Sequence, residues 1–213
     1  MKKLIFISLA IVVYACGSGP EPVEPPPPPV PVATAATFIT DDSFTANWND
    51  VTDASNYELE IATDQDFTNI IASDNNAVTA IIIFGLVSHT QYFYRVRAGF
   101  DSQVVSEYSN VISLYTSPLA PVATTATNVL SDGFTANWRE VAGISNYLLF
   151  ISLDNFSSSP PVYVAGYDGL EVTGVAHNVS GLNSKTIYYY ALKAKGDNSI
   201  SYFSNSIFVE TTP

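Results

Sequence analysis

The sequence predicts an all-β protein, two β-sandwiches in tandem behind a leader and a proline-rich stalk. Three observations carry the prediction. First, the chain writes one stretch twice. Asp42-Ser43-Phe44-Thr45-Ala46-Asn47-Trp48 returns ninety positions later as Asp132-Gly133-Phe134-Thr135-Ala136-Asn137-Trp138, and the two copies hold its only two tryptophans. Internal self-similarity of this kind marks repeated structural units. Second, Phe44, Ala46 and Trp48 alternate with Thr45 and Asn47, the period of a strand with one buried face. Third, the chain is 13% aromatic, with Tyr 13 and Phe 12, and only 13% charged, a balance suited to pleated, half-buried surfaces.

Taken in order, residues 1–15 read as a lipoprotein signal peptide. Lys2 and Lys3 form a positive start, and Leu4 to Val13 form an apolar run too short to span a bilayer. The leader ends Val13-Tyr14-Ala15-Cys16, which resembles the lipobox of bacterial lipoproteins. The resemblance implies cleavage before Cys16, acylation of its thiol and a membrane partner reached through that lipid. Gly17 stands where an aspartate retains some such lipoproteins in the inner membrane, which implies the outer membrane of the cell envelope. Residues 16–30 form the stalk. Pro25 to Pro29 favour a polyproline II rod, so residues 17–31 make a semi-rigid spacer of roughly 40–45 Å.

Residues 31–118 and 119–213 are the two predicted domains. Pro31-Val32-Ala33-Thr34 returns as Pro121-Val122-Ala123-Thr124, and Tyr57 returns as Tyr147, at an offset of 90. Leu86, Thr90 and Tyr92 return as Leu182, Thr186 and Tyr188 at an offset of 96, so the second copy carries six extra residues in a loop or edge strand. An early proline, a strand tryptophan, a following strand tyrosine and a Leu-x-x-x-Thr-x-Tyr corner resemble the fibronectin type III domain in both copies. The resemblance implies immunoglobulin-like sandwiches with Trp48, Trp138, Tyr57, Tyr147, Tyr92 and Tyr188 as core anchors. With Cys16 the only cysteine, no intrachain disulfide exists.

The net charge of −12, with no cluster of Lys and Arg, argues against nucleic acid as a partner, because binding there needs such clusters to displace counterions. His89 and His177 sit at non-equivalent places in different copies, and the chain has neither a phosphate-binding glycine loop nor a His-Glu-x-x-His zinc motif. Asp41, Asp42, Asp53, Asp64 and Asp66 read as solvated turns and Asx caps. Lys195-Gly196-Asp197 reads as hairpin-turn chemistry. The expectation is therefore a protein that is not an enzyme and uses no cofactor and no metal.

The functional signal lies where the copies differ. The first places Glu58 and Glu60 outward on one strand beside Arg95 and Arg97 on the next, a solvated face of opposite charges. The second substitutes Leu148 and Phe150, then Tyr189 and Lys193, with Phe208 on the last strand. Two readings of this stripe stand. It is a binding face for protein or polysaccharide, or it is covered by the insertion around Pro160-Pro161-Val162-Tyr163 or by the other domain. The architecture implies non-catalytic display or spacing at the envelope. The alternatives are an accessory to a glycan-processing or hydrolase system, and a self-associating structural component.

Overall fold

The computed structural model describes residues 25–101 and 104–213, so the leader, Cys16 and the first part of the stalk lie outside the described residues. Pro25 to Val30 run without regular hydrogen bonding to the first strand, as consecutive prolines without N–H donors dictate.

The first unit contains β1 (Ala33–Thr37), β2 (Phe44–Trp48), β3 (Asn56–Ala62), β4 (Ile70–Asn76), β5 (Ala80–Ile83), β6 (Gln91–Gly99) and β7 (Ile112–Tyr115). The second contains β8 (Val122–Thr127), β9 (Gly133–Arg139), β10 (Asn146–Ser152), β11 (Tyr163–Thr173), β12 (Ala176–Ser180), β13 (Ile187–Lys195) and β14 (Ile207–Glu210). Each unit pairs a three-stranded sheet with a four-stranded one. The orders are β1-β2-β5 with β4-β3-β6-β7, and β8-β9-β12 with β11-β10-β13-β14. All strand pairs in these sheets are antiparallel.

Two hydrophobic cores result, one per unit. Trp48 and Trp138 are buried in them, edge-on to Tyr57 and Tyr147 at ring separations of 5.7 and 5.5 Å. Such offset aromatic pairs add to plain area burial. The tyrosine hydroxyls bind locally. That of Tyr57 accepts from Val51 N at 2.8 Å and donates to Asp50 at 2.8 Å, and that of Tyr147 accepts from Val141 N at 2.9 Å. Tyr92 and Tyr188, also buried, accept from Val87 N and Asn183 N at 2.9 Å, pinning the turn ahead of their own strands. The indole nitrogens of both tryptophans are buried and, among the described residues, have no hydrogen-bond partner.

The repeated asparagines carry more of the architecture than their polar character suggests. Nδ2 of Asn47 donates to Ala35 O and Thr37 Oγ1 at 3.1 Å, and Asn137 does the same to Thr125 O and Thr127 Oγ1. Both span the point where the register of β1 on β2, and of β8 on β9, shifts. The side chain thus satisfies the backbone and hydroxyl groups that the bulge leaves unpaired. Asn110 clamps Ala33 with two backbone bonds of 3.0 Å, and Asn205 clamps Ala123 identically. These ties close one side of each sandwich.

The insertion sits in the edge strand and the loop before it. Its effect is to lengthen β4, seven residues, into β11, eleven residues.

Candidate binding face

The outer faces of the two four-stranded sheets can be compared position by position. In the first unit, Glu58 lies opposite Arg97 and Glu60 opposite Arg95 across β3 and β6. Arg95 reaches Glu60 through Nε at 2.9 Å and an Nη at 2.7 Å, and Arg97 reaches Glu58 at 2.8 and 2.6 Å. The Arg95 guanidinium lies between two rings, 4.1 Å from that of Phe67 and 4.0 Å from that of Tyr108. The Tyr108 hydroxyl in turn donates to Glu60 at 2.7 Å. Desolvation first, and the Glu60 carboxylate second, raise the Tyr108 phenol above its ordinary value. The hydrogen bond to Glu58 raises Arg97, so its guanidinium stays charged and occupied. The face is electrostatically satisfied.

In the second unit the same positions carry a different chemistry. Leu148 faces Lys193 and Phe150 faces Ala191 across β10 and β13. Phe150 packs edge-on to Phe203 at 4.8 Å and against Tyr163 at 5.6 Å. Phe156 bridges the same two rings at 5.7 and 6.2 Å. Lys193 Nζ lies 4.2 Å over Phe203, as the Arg97 guanidinium lies 4.9 Å over Tyr108 in the first unit. Gly169, with φ +107, leaves room for the Phe150 ring, whose edge would lie 3.3 Å from an added Cβ. Ala191, on the outward-pointing side of its strand, is nevertheless only 2% exposed.

The cover is built by the loop between β10 and β11. Asp154 organises it, accepting from Ser152 Oγ, from Ser158 Oγ and, at 3.1 Å, from Ser158 N. These hydrogen bonds hold its carboxyl down at about 2. Asn155 takes a bond of 2.6 Å from Ser206, beyond β13, so the loop reaches across the sheet. Phe156 comes from this strap, and Tyr163 opens β11 at its end. Phe150 is half-buried among these rings, one of which, Tyr163, comes from the segment Pro160-Pro161-Val162-Tyr163.

The stripe does not end there. Phe208 on β14 is 68% exposed, and its strand partner Tyr189 on β13 is half-buried beside it. Ile187, two residues before Tyr189 on the same face, is exposed, and so are Phe203 at 40% and Val162 at 52% on the rim of the strap. The five residues anticipated from sequence thus divide. Phe150 and Lys193 touch the ring cluster through Phe203, Leu148 faces Lys193 across β10 and β13, and Tyr189 and Phe208 pair across β13 and the edge strand β14. Sequence reasoning missed Phe156 and Phe203. Phe203 was detectable, since it stands where the first copy has Tyr108, at an offset of 95.

Elsewhere the candidate chemistry disperses. His177 and Ser180 lie three apart on β12 and so point to opposite faces. Asp64 accepts from Thr68 N and Asn69 N at 2.9 and 2.7 Å, an Asx cap, and the backbone bond from Thr68 leads in lowering its carboxyl. Among the described residues no group of three or more His, Cys, Asp and Glu side chains gathers.

No family model and no curated protein matches the chain. Among solved structures, a two-domain fibronectin type III segment from chicken tenascin aligns with a TM-score of 0.50 and 15% identity, covering 86% of this chain and 100% of that one. The FN1-FN3 domains of chicken CNTN1 align with a TM-score of 0.47 and 14% identity, covering 88% of this chain and 69% of that one. The tenascin likeness shows the fold: an all-β chain of two tandem immunoglobulin-like sandwiches of the fibronectin type III kind.

Proposed function

We propose that this chain is a non-catalytic envelope lipoprotein, held by lipid at Cys16, that displays its second sandwich to a protein or polysaccharide ligand. The observation that carries the reading is the exposed edge of the second outer face, along β14 and the neighbouring side of β13. Phe208 stands 68% exposed next to Tyr189 and Ile187 on a sheet whose counterpart in the first unit carries an ionic ladder. Isolated exposed apolar residues are ordinary, whereas adjacent ones on a flat sheet favour recognition. Tyrosine and phenylalanine supply large contact area at small conformational cost, and tyrosine adds a hydroxyl that suits a polar ligand such as a glycan. The proline run supports display, because Pro25 to Pro29 favour an extended, semi-rigid spacer ahead of the sandwiches.

The reading is tested with the full chain and its Phe208→Ser and Tyr189→Ser variants on a glycan array and in pull-downs from envelope extract. Ligands captured by the parent chain and lost by both folded variants would support it. Ligands retained by both variants would remove this face from consideration. Sedimentation of the same proteins separates ligand display from self-association.

A further inference from the structure

The geometry points to a steric latch between the sandwiches: the His89 ring of the first unit seats in a hole that the second unit opens by having no side chain at Gly196. His89 lies in the turn ahead of β6 with φ +49, and its N–H donates to Ser117 O at 3.1 Å. A Cβ on Gly196 would fall 2.3 Å from His89 Cε1 and 2.6 Å from Nδ1, distances that no real side chain tolerates. A Cβ on Gly143 would stand at ordinary contact, 4.0 Å from Cδ2. The ring is thus held between two turns of the second unit. Its Nδ1 is buried and, among the described residues, unpaired, as befits a ring seated by shape.

The internal repeat supplies an independent argument. Lys185 occupies the turn position equivalent to His89, with φ +53 against +49. Phe100 occupies the position equivalent to Gly196, and both donate to the turn that follows, to Val104 O at 2.8 Å and to Ser199 O at 2.9 Å. Asp53, with φ +65, stands where the second unit has Gly143, with φ +76. The two copies therefore differ at all three positions that meet at this one contact. The large residue is on the first unit's side, and the two vacancies are on the second's.

Two further features hold the same junction. Ser199 Oγ donates to Thr116 O at 3.1 Å, across the boundary. The connecting residues Thr116, Ser117 and Pro118 are themselves buried, not free as a flexible linker would be. With the ring seated, the open aromatic face of the second unit keeps one attitude relative to the first.

Gly196 has no positive φ, so Gly196→Ala probes space and not backbone strain. The experiment is pulsed electron-spin distance measurement on the full chain in detergent, with labels at the exposed positions of Ile82→Cys and Val175→Cys. It compares the parent, Gly196→Ala, His89→Gly and the double variant. Glycine at 89 keeps the positive φ available. Urea unfolding followed by Trp48 and Trp138 fluorescence checks that each sandwich stays folded. The latch predicts a narrow distance distribution in the parent. It predicts broadening by Gly196→Ala when His89 is present, and no added broadening by Gly196→Ala once His89 is glycine. A broad parent distribution, an unchanged Gly196→Ala distribution, or equal broadening in both backgrounds would overturn it.

Discussion

The hydroxyls of Tyr94 and Tyr190 show how single residues bind the sheets of each sandwich together. Both side chains are fully buried on the inner faces of β6 and β13, and each donates across the core, to Thr34 O and to Thr124 O. Burial pushes both phenols above the ordinary value of 10, so the neutral form that donates is the form that folding favours. Because the folded-state value is raised, this contribution is full below pH 10 and is lost as pH rises through the folded value. Tyr94→Phe and Tyr190→Phe should each lower stability in urea by about 0.5–1.5 kcal/mol, the net worth of a buried hydrogen bond. Each should also weaken the alkaline loss of stability, and an unchanged alkaline limb would disprove the assignment. The burial of these tyrosines was legible in the sequence, because Tyr92, Tyr94 and Val96 alternate with Phe93 and Arg95. The oxygen that each hydroxyl finds was not, since Thr34 lies sixty residues away and no local pattern encodes that distance.

At the scale of elements, the loop between β10 and β11 decides what the second outer face does. Its shape depends on Asp154, whose carboxyl is depressed from 3.8 to about 2 by hydrogen bonds from Ser152 and Ser158. A depressed carboxyl contributes stability above its unfolded value and loses it as the folded group protonates. The strap should therefore hold above pH 4 and loosen as pH falls towards 2, read as loss of the near-ultraviolet aromatic signal. Asp154→Asn should show the loosened signal at neutral pH and little further change across that window. A pH response kept by Asp154→Asn would assign the loosening to another group. The sequence located this element through its six extra residues and Tyr163, but a non-periodic loop gives no indication of which strand it crosses. Phe156 and Asn155 therefore could not be placed on the face in advance, whereas the alternation of β10 and β13 placed Phe150 and Tyr189 without difficulty.

For the whole molecule, the repeat separates two kinds of information. Where the copies agree, as at Trp48 and Trp138 or Asn47 and Asn137, the residues build the sandwich. Where they disagree, the two units present different chemistry at corresponding positions. His89, Gly143 and Gly196 disagree at the junction, and Phe150, Tyr189 and Phe208 disagree on the outer face. The junction was not legible in sequence, because Gly143 and Gly196 lie 54 and 107 positions after His89 and neither has a side chain. On the proposed reading the chain's first fifteen residues direct it to the envelope, and acylation of Cys16 retains it there. Cys16→Ser should abolish incorporation of a labelled fatty acid and release the chain from the membrane fraction, and incorporation that survives would rule out this anchor.

The most direct test of the account compares Phe150→Ser with Phe208→Ser in the full chain, reading urea stability and ligand capture on the same preparations. Phe150 is half-buried among Tyr163, Phe156 and Phe203, so its loss should cost about 1–2 kcal/mol, less than the roughly 3–5 kcal/mol of a fully buried phenylalanine. Phe208 is open, so its loss should change stability by about 0.5 kcal/mol or less while ligand capture fails. A Phe208→Ser protein as destabilised as Phe150→Ser, or one that captures every ligand of the parent, would contradict the division of the face on which the proposed function rests.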